Sequence, residues 1–383
     1  VTAMSAEASD MSGWLLMGLP GVAYWCGLAD AFWTALGLAV GTYLNWLIVS
    51  KRLRRYSERV DAITIPSFIS KRYGEKKPII MCIASLAILI FFIPYTASGF
   101  SAIGKLFSSL FNVDYHLAMI LSAIVIIVYC TLGGFLAAST TDFIQSIVMT
   151  IALVVVLGFG ISYAGGWEQV CDNAESLAGY LNFTVTHGAG SVSEAIAGTA
   201  GTKPYGALTI ASTLAWGLGY FGMPHILLRF MAIEKVEKIK LARRVASIWV
   251  VISMAVAIVI GIVGYGVVKS GVVTGIEDSE RIIIEIAKVI SGEGWIFAII
   301  AGVAFGGETG FLVGAVTGFV SNFFAGQGPW TPWQMLAYGM GGFLAGILFS
   351  RKPAERLDWL KQTLFAFLAV MLVVGPLLDT CTV

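Results

Sequence analysis

The stretch SAEASDMSGW, residues 5–14, opens an apolar segment that is long enough to cross a bilayer and runs on past Gly21. It holds two carboxylic acids, Glu7 and Asp10, among serine, alanine and glycine residues. An ionised aspartate near mid-membrane costs roughly 2.5–3.5 kcal/mol on insertion scales, so it usually faces a cavity, an ion or a partner. Small residues at this density predict a non-helical break at residues 8–13, where carbonyl groups can turn toward a ligand. The stretch indicates either an ion site or a tightly packed helix whose aspartate meets a basic neighbour.

The composition indicates an all-α polytopic membrane protein. Of 383 residues, 57% are hydrophobic and 12% are charged, and the mean hydropathy is +0.84. These values exclude an ordinary soluble domain. The net charge of +1 gives no reason to expect a nucleic-acid partner, and the five scattered cysteines and three lone histidines predict neither a metal centre nor a disulfide framework. We expect no enzyme activity.

Apolar segments of the length that crosses a bilayer, about 20 residues, recur along the whole chain. They lie near 3–25, 31–50, 78–100, 117–137, 143–165, 207–231, 246–268 and 284–304, followed by 309–325, 333–350 and 361–379. The segment 51–77 holds nine basic residues and 229–244 holds six more, whereas 166–206 holds one. Because basic residues are enriched in cytoplasmic loops, 51–77 and 229–244 are expected in the cytoplasm and 166–206 outside.

Two further features have a structural and a functional interpretation. Trp216, Tyr220 and Pro224 recur every four residues, so on an α-helix they share one face. That face either packs in the interior or clamps a compact apolar ring between aromatic side chains. Asp142 precedes the segment 143–165, where a carboxylate either caps the helix and interacts with its dipole or acts in gating.

Residues 8–21, ASDMSGWLLMGLPG, resemble the second membrane helix in the proline-transporting branch of the sodium:solute symporter family. Later landmarks follow in the order of that family as far as about residue 300. They are TLGGFLA at 131–137 with Thr141 and Asp142, WGLGYFGMPHIL at 216–227, where Met223 stands in place of an expected glutamine, and ERIIIE at 280–285.

The resemblance implies a sodium-coupled secondary transporter that imports proline by alternating access in the bacterial plasma (inner) membrane, as a multi-pass protein. Sodium is the implied coupling ion, proline the small-molecule substrate and the lipid bilayer the surroundings, with no obligate protein partner. The implied sodium site uses the carbonyls of Ala8 and Met11, supported by Asp10 and Ser12. The implied substrate site consists of Gly13, Trp216, Tyr220 and Pro224, and Asp142 is the implied gating residue. The resemblance gives Glu7 no role.

The pattern changes near residue 301. The ninth helix of the family is expected to carry small residues ending in Ser-Thr, whose hydroxyls bind sodium, but residues 301–311 read AGVAFGGETGF. Residues from about 301 to 383 instead resemble the substrate-binding components of energy-coupling-factor vitamin transporters. The resemblance rests on SNFF at 321–324, GQGPWTPWQM at 326–335 and GPLLDT at 375–380. The alternative is a membrane hairpin whose Pro-Trp pair anchors at the interface.

The chain therefore looks like two incomplete transporters joined, 1–300 and 301–383, either as a natural fusion or through a misassembled reading frame. It begins at Val1 without Met, which we interpret as a truncation. Three functions follow. They are a sodium/proline symporter that is incomplete as written, a vitamin-capture subunit needing separate ATPase and scaffold chains, and a fragment that transports nothing. We expect no sodium-driven proline uptake from the chain as written.

Overall fold

The computed structural model describes residues 1–111, 113–188, 201–274, 276–290, 308, 311–318 and 331–349. This part of the chain is helical apart from one antiparallel hairpin, in which β1 (Val185–Gly188) pairs with β2 (Gly201–Pro204). Within it, four helices are long and apolar enough to cross a membrane. They are Leu28–Ile48, Ile79–Ser109, Cys130–Tyr163 and Val236–Lys269. The expected all-α membrane class is confirmed.

The first part of the chain forms eight helices between Thr2 and Glu175. They are α1 (Thr2–Gly13), α2 (Leu19–Cys26), α3 (Leu28–Ile48), α4 (Ser50–Arg59), α5 (Ile65–Arg72), α6 (Ile79–Phe111), α7 (Tyr115–Tyr163) and α8 (Trp167–Glu175). Helix α7 combines the two segments expected at 117–137 and 143–165. It is kinked at Gly134, whose φ of 56° is a left-handed value that glycine adopts without steric cost.

The next part begins after the hairpin with α9 (Ala207–Leu214), a 3-10 helix (Ala215–Phe221) and α10 (Pro224–Met231). A 3-10 turn (Val236–Lys238) then leads into α11 (Ile239–Lys269), and another (Ser279–Arg281) leads into α12 (Ile282–Ile290). The segment expected as one span at 207–231 is therefore three short helical pieces.

The chain divides into two compact units. The first comprises 1–109 and 113–286, and the second comprises 110–112 and 287–383. In the second, α13 (Thr331–Phe349) packs on residues 311–318 so closely that a Cβ at Gly314 would lie 2.3 Å from the carbonyl oxygen of Tyr338. The expected boundary near 301 stays a prediction. The sequences 301–307, 321–330 and 375–380 and the expected span 361–379 lie outside the described residues, as do residues 291–304 of the span expected at 284–304.

Helix α3 separates the two loop regions that the charge pattern assigns to opposite sides. Its 21 residues extend about 31 Å. Near its start, Trp33 Nε1 donates a hydrogen bond of 2.8 Å to the carbonyl oxygen of Phe183, in the region 166–206. Its other end leads directly into α4, in the basic region 51–77. The two regions therefore lie at opposite ends of this helix, as expected.

The backbone of α3 also touches the 3-10 helix that follows α9. A Cβ at Gly41 would lie 2.2 Å from the carbonyl oxygen of Gly217, and one at Gly217 would lie 2.0 Å from that of Gly37. Only glycine permits this approach, because any side chain at these positions would overlap the facing peptide groups.

Candidate functional site

Helix α1 is continuous, so the break expected at residues 8–13 is wrong. The irregularity lies one turn later, in a π-helical turn at Trp14–Gly18, where the N–H of Leu19 donates to the carbonyl of Trp14. Pro20 explains this position, because its ring displaces the carbonyl four residues earlier and it has no N–H to donate. The implied sodium ligands Ala8 and Met11 are buried within the helix, and the carbonyl of Met11 already accepts from the N–H of Trp14.

A true break occurs instead between the 3-10 helix and α10. Met223 is extended, with φ −71° and ψ 108°, as expected for a residue that precedes proline. The face expected to join Trp216, Tyr220 and Pro224 is therefore wrong, since four-residue spacing keeps side chains aligned only on an α-helix. Trp216 is 55% exposed and stacks edge-on against Trp14, with ring centroids 5.6 Å apart.

Tyr220, in contrast, lies beside Asp10. Its side chain is buried and interacts with the Asp10 carboxylate and with Thr42 of α3. Asp10 also lies 3.2 Å, Oδ1 to Nε2, from His225 of α10. The ring of His225 stacks on Tyr95 of α6 with centroids 5.6 Å apart. Asp10 therefore meets a histidine and a phenol where α1 passes the broken helix, so the alternative of a packed helix with a basic neighbour describes the arrangement observed.

An ion-pair network joins α1, α7 and α10. Arg229 is buried, and its Nε donates a hydrogen bond of 2.9 Å to the Ser5 hydroxyl. Its terminal nitrogens donate to the Asp142 carboxylate and, over 2.8 Å, to the carbonyl of His225. The Ser5 hydroxyl in turn donates to Asp142 over 3.2 Å. We call Ser5, Asp142 and Arg229 the arginine network.

The capping interpretation of Asp142 is wrong. Asp142 lies inside α7, past the kink at Gly134, and its carboxylate accepts from side chains of two other helices rather than from N–H groups of its own first turn. A helix start is expected there because the apolar segment 117–137 ends with TLGGFLA and the next begins at 143. The chain in fact kinks at Gly134 within TLGGFLA and continues as a helix.

Two residues of α3 complete the cluster. Trp46 Nε1 donates a hydrogen bond of 2.9 Å to the carboxylate of Glu7, and both side chains are buried. Asn45 Nδ2 donates a bond of 2.8 Å to the carbonyl oxygen of Tyr220. This bond satisfies a backbone acceptor just before the break, where regular helical bonding stops. Glu7, to which the family resemblance assigns no role, thus anchors α1 to α3.

The two aspartates of the cluster each face a basic side chain. Asp10 lies against His225, and Asp142 pairs with Arg229. Acidic side chains buried within a membrane protein are usually paired in this way.

Two implied site residues lie apart from this chemistry. Gly13 faces α6, where a Cβ would lie 3.1 Å from that of Ala102, and Ser12 belongs to α1 by its backbone. Sequence reasoning missed the contributions of His225, Arg229, Asn45 and Trp46. A signal was present only for Arg229, as a basic residue within an apolar segment that needs a buried partner.

Two known family models match the chain. The family model described as "Sodium:solute symporter family" matches residues 1–310. The chain belongs to the sodium:solute symporter family. A second family model, described as "ECF-type riboflavin transporter, S component", matches residues 279–382 and overlaps the first. Both expected resemblances are therefore confirmed.

Similar proteins carry names that agree with the first match. The osmoregulated proline transporter OpuE of Bacillus subtilis is 35% identical over 382 residues, which cover 98% of this chain and 70% of that protein. A sodium/proline symporter of Staphylococcus aureus is 39% identical over 291 residues, covering 76% of this chain and 53% of that protein. The chain thus spans about half the length of the staphylococcal symporter sequences that it matches.

Proposed function

We propose that this symporter-family chain is built for sodium-coupled proline import by alternating access in a bacterial plasma membrane, and that its sodium affinity is weakened because AGVAFGGETGF at 301–311 lacks the expected Ser-Thr pair. The observation that carries the proposal is the contact of Asp10 with Tyr220, where α1 passes the break before α10. In transporters of this architecture, discontinuous helices at the bilayer midplane bind the substrate and the coupling ion. The names of the bacterial relatives supply the identity of the substrate and of the ion.

Sodium is a co-transported substrate in this proposal, and Asp10 is the ligand with most support. It offers carboxylate oxygens in a buried position, beside the phenol of Tyr220. Ala8, Met11 and Ser12 remain proposed through the resemblance. Because α1 is continuous in this conformation, their backbone carbonyls would bind an ion only if the helix opened locally.

For proline, Tyr220 is the best-supported contact. A zwitterion with a compact ring needs polar groups at one end and apolar surface at the other. The phenol of Tyr220 provides the first, and the edge-on pair of Trp216 and Trp14 provides aromatic surface on the same segments. Gly13 and Pro224 stay proposed as substrate contacts through the resemblance alone.

Asp142 is proposed as a gating residue through the arginine network. The network connects α1, the α7 carboxylate and the end of α10, and the basic residues that follow α10 assign that end to the cytoplasm. A buried ion pair of this kind holds three helices together while it is intact. Its separation would open a path from the site to the cytoplasm.

Ligand binding tests the proposal. Proline titrated into the purified chain is expected to change tryptophan fluorescence more strongly in sodium chloride than in potassium chloride at equal ionic strength, with both salts near molar concentration to offset the weakened sodium affinity. Asp10→Asn keeps the shape of the side chain and removes its charge, so the difference between the two salts should vanish. Thr209→Ser, on the exposed helix α9, serves as the matched control and should behave as the unmodified chain. An equal response to both salts in the unmodified chain would refute sodium coupling.

Proline uptake tests separately whether the sodium site is weakened. Without the hydroxyl ligands expected from the ninth helix, fewer oxygens replace the hydration shell of the sodium ion. Each polar interaction left unmade inside a membrane costs several kcal/mol of binding free energy. At about 1.4 kcal/mol per tenfold, sodium affinity falls by orders of magnitude. Radiolabelled proline is therefore not expected to accumulate in vesicles under a sodium gradient. Gradient-driven accumulation that Asp10→Asn abolishes would show that the chain binds sodium well enough to transport.

The match of residues 279–382 to a riboflavin-transporter S component favours a second candidate function, vitamin capture by the C-terminal part. Riboflavin binding to the purified chain, measured by quenching of riboflavin fluorescence, tests it. Tight binding that does not depend on sodium would support this candidate independently of the proline site.

A further inference from the structure

A groove on the cytoplasmic end of the first unit has no role in the proposed transport. Its volume is about 600 Å³. Four arginines line it, Arg52, Arg55, Arg59 and Arg72, together with apolar and aromatic side chains. Among the described residues, no acidic side chain lines it. We call it the arginine groove, and we propose that it binds the headgroup of an anionic phospholipid from the cytoplasmic leaflet.

The arginines of α4 separate into two groups by their contacts. Arg54 turns toward the protein, where it pairs with Glu58 and donates to the carbonyl of Ile233. Arg52, Arg55 and Arg59 line the groove and form no ion pair with any residue in the described ranges. Three and seven residues apart, they follow one face of the helix. This face therefore concentrates positive charge without internal compensation.

The fourth arginine is held in place by aromatic rings. The guanidinium of Arg72, the last residue of α5, lies 4.8 Å from the centroid of the Tyr56 ring. Tyr56 in turn stacks edge-on against Phe68 with centroids 5.8 Å apart. This cation–π contact fixes a guanidinium group opposite the α4 face. Planar guanidinium groups bind phosphate oxygens in pairs, which an ammonium group does not do.

The position of the groove favours a lipid over a free anion. Ile48 and Val49, at the end of the apolar helix α3, form its wall on the membrane side. Along α3, Val40, Leu47 and Ile48 are 48%, 44% and 43% exposed, which makes an apolar face for an acyl chain. A phospholipid can therefore lay its chains along α3 while its phosphate reaches the arginines. Basic pockets just cytoplasmic of a membrane helix are typical sites for anionic headgroups.

Lipid titration of the purified full chain tests the proposal. Native mass spectrometry in a neutral detergent would count bound copies of dioleoyl phosphatidylglycerol, with dioleoyl phosphatidylcholine as the zwitterionic reference. We expect retained phosphatidylglycerol at concentrations where phosphatidylcholine is lost. Each basic residue near an anionic headgroup contributes roughly fivefold in affinity, so R52Q/R55Q/R59Q should weaken binding about a hundredfold. The control K76Q/K77Q/K240Q removes the same charge from outside the groove and should change binding less than about threefold.

A second variant keeps the test informative if the glutamine variant does not fold. R52K/R55K/R59K retains the charge but loses paired guanidinium bonds, so it should fold and bind about tenfold more weakly. Equal weakening in the control variant would overturn the proposal, as would equal binding of the two lipids. Displacement of the lipid by millimolar inorganic phosphate would also overturn it, because the site would then be one for free anions.

Discussion

Separating Arg229 from Asp142 is expected to cost more stability than any exposed ion pair in the described chain. The change is Asp142→Leu, which removes the carboxylate and leaves the guanidinium of Arg229 buried, with Ser5 Oγ and the carbonyl of His225 as its remaining acceptors. Breaking a buried pair by removing one partner typically costs 3–5 kcal/mol. We expect a loss in the free energy of unfolding within that range.

The magnitude follows from what is left behind rather than from the strength of the bond. In Arg229→Met/Asp142→Leu, neither charge remains, and well-packed apolar replacements of buried pairs are often neutral. The double variant should therefore recover most of the loss and lie within about 1 kcal/mol of the unmodified chain. The difference between the single and double changes gives the coupling energy of the two side chains.

The assay is unfolding by sodium dodecyl sulfate in mixed micelles, followed by tryptophan fluorescence. Glu234→Gln is the matched control, because its pair with Lys238 is 68% and 59% exposed and water screens the attraction, so its loss is expected to change stability little. A loss below about 1 kcal/mol for Asp142→Leu would refute the reasoning. A double variant as unstable as the single one would also refute it, since the cost would then lie in packing rather than in charge.

Three further changes test the packing and the titration of the first unit. Gly41→Ala should destabilise the chain by about 1–3 kcal/mol through overpacking, measured by thermal unfolding, whereas Gly219→Ala should have little effect because no atom lies within 4 Å of its Cβ position. Glu7→Ala should cost about 1–3 kcal/mol by leaving the Trp46 indole N–H unpaired, while Glu7→Gln keeps an acceptor; a smaller loss for the alanine variant would contradict this. Burial and a hydrogen bond to the carboxylate of Asp30 raise the pKa of the Tyr205 phenol from 10.0 to about 12. The neutral phenol therefore contributes its full stabilisation below pH 10, and this contribution is lost as the pH rises through 12. Phenolate absorbance at 295 nm should show this late titration, which Tyr205→Phe removes.

The order of the apolar segments, and the position of 51–77 and 166–206 at opposite ends of α3, could be predicted because apolar length and the distribution of basic residues are explicit in the sequence. The number of helices could not, since the segment 207–231 forms three helical pieces. The break in the first helix could not be placed in this way. Small residues at 5–13 permit an irregular backbone, but packing against α3 and α7 keeps them helical. Pro20 cannot donate a backbone hydrogen bond, so it sets the position at which α-helical hydrogen bonding gives way to the π-helical turn.

The residues that pair with the buried acids could not be predicted from the sequence either. Asp10 and Asp142 were recognisable as acids within apolar segments, but the basic residues they meet come from α10, more than 80 positions away in each case. Sequence spacing predicts which side chains are neighbours only within one regular helix. The shared face expected at residues 216–224 does not form, because the backbone there passes from a 3-10 helix through an extended residue into an α-helix. Long-range pairing across helices depends on packing, which composition does not specify.

The glycine contact of α3 with the 3-10 helix limits how the first unit can rearrange. Side chains between two helices can change rotamer and let the surfaces slide by small steps, but Gly37, Gly41 and Gly217 bring peptide groups together with no side chain between them. Sliding along this contact would drive carbonyl oxygens into the facing backbone. The two elements must therefore travel as a single rigid body. Any motion that opens the Asp10–Tyr220 site has its hinge or sliding surface at another boundary, between this pair and its other neighbours.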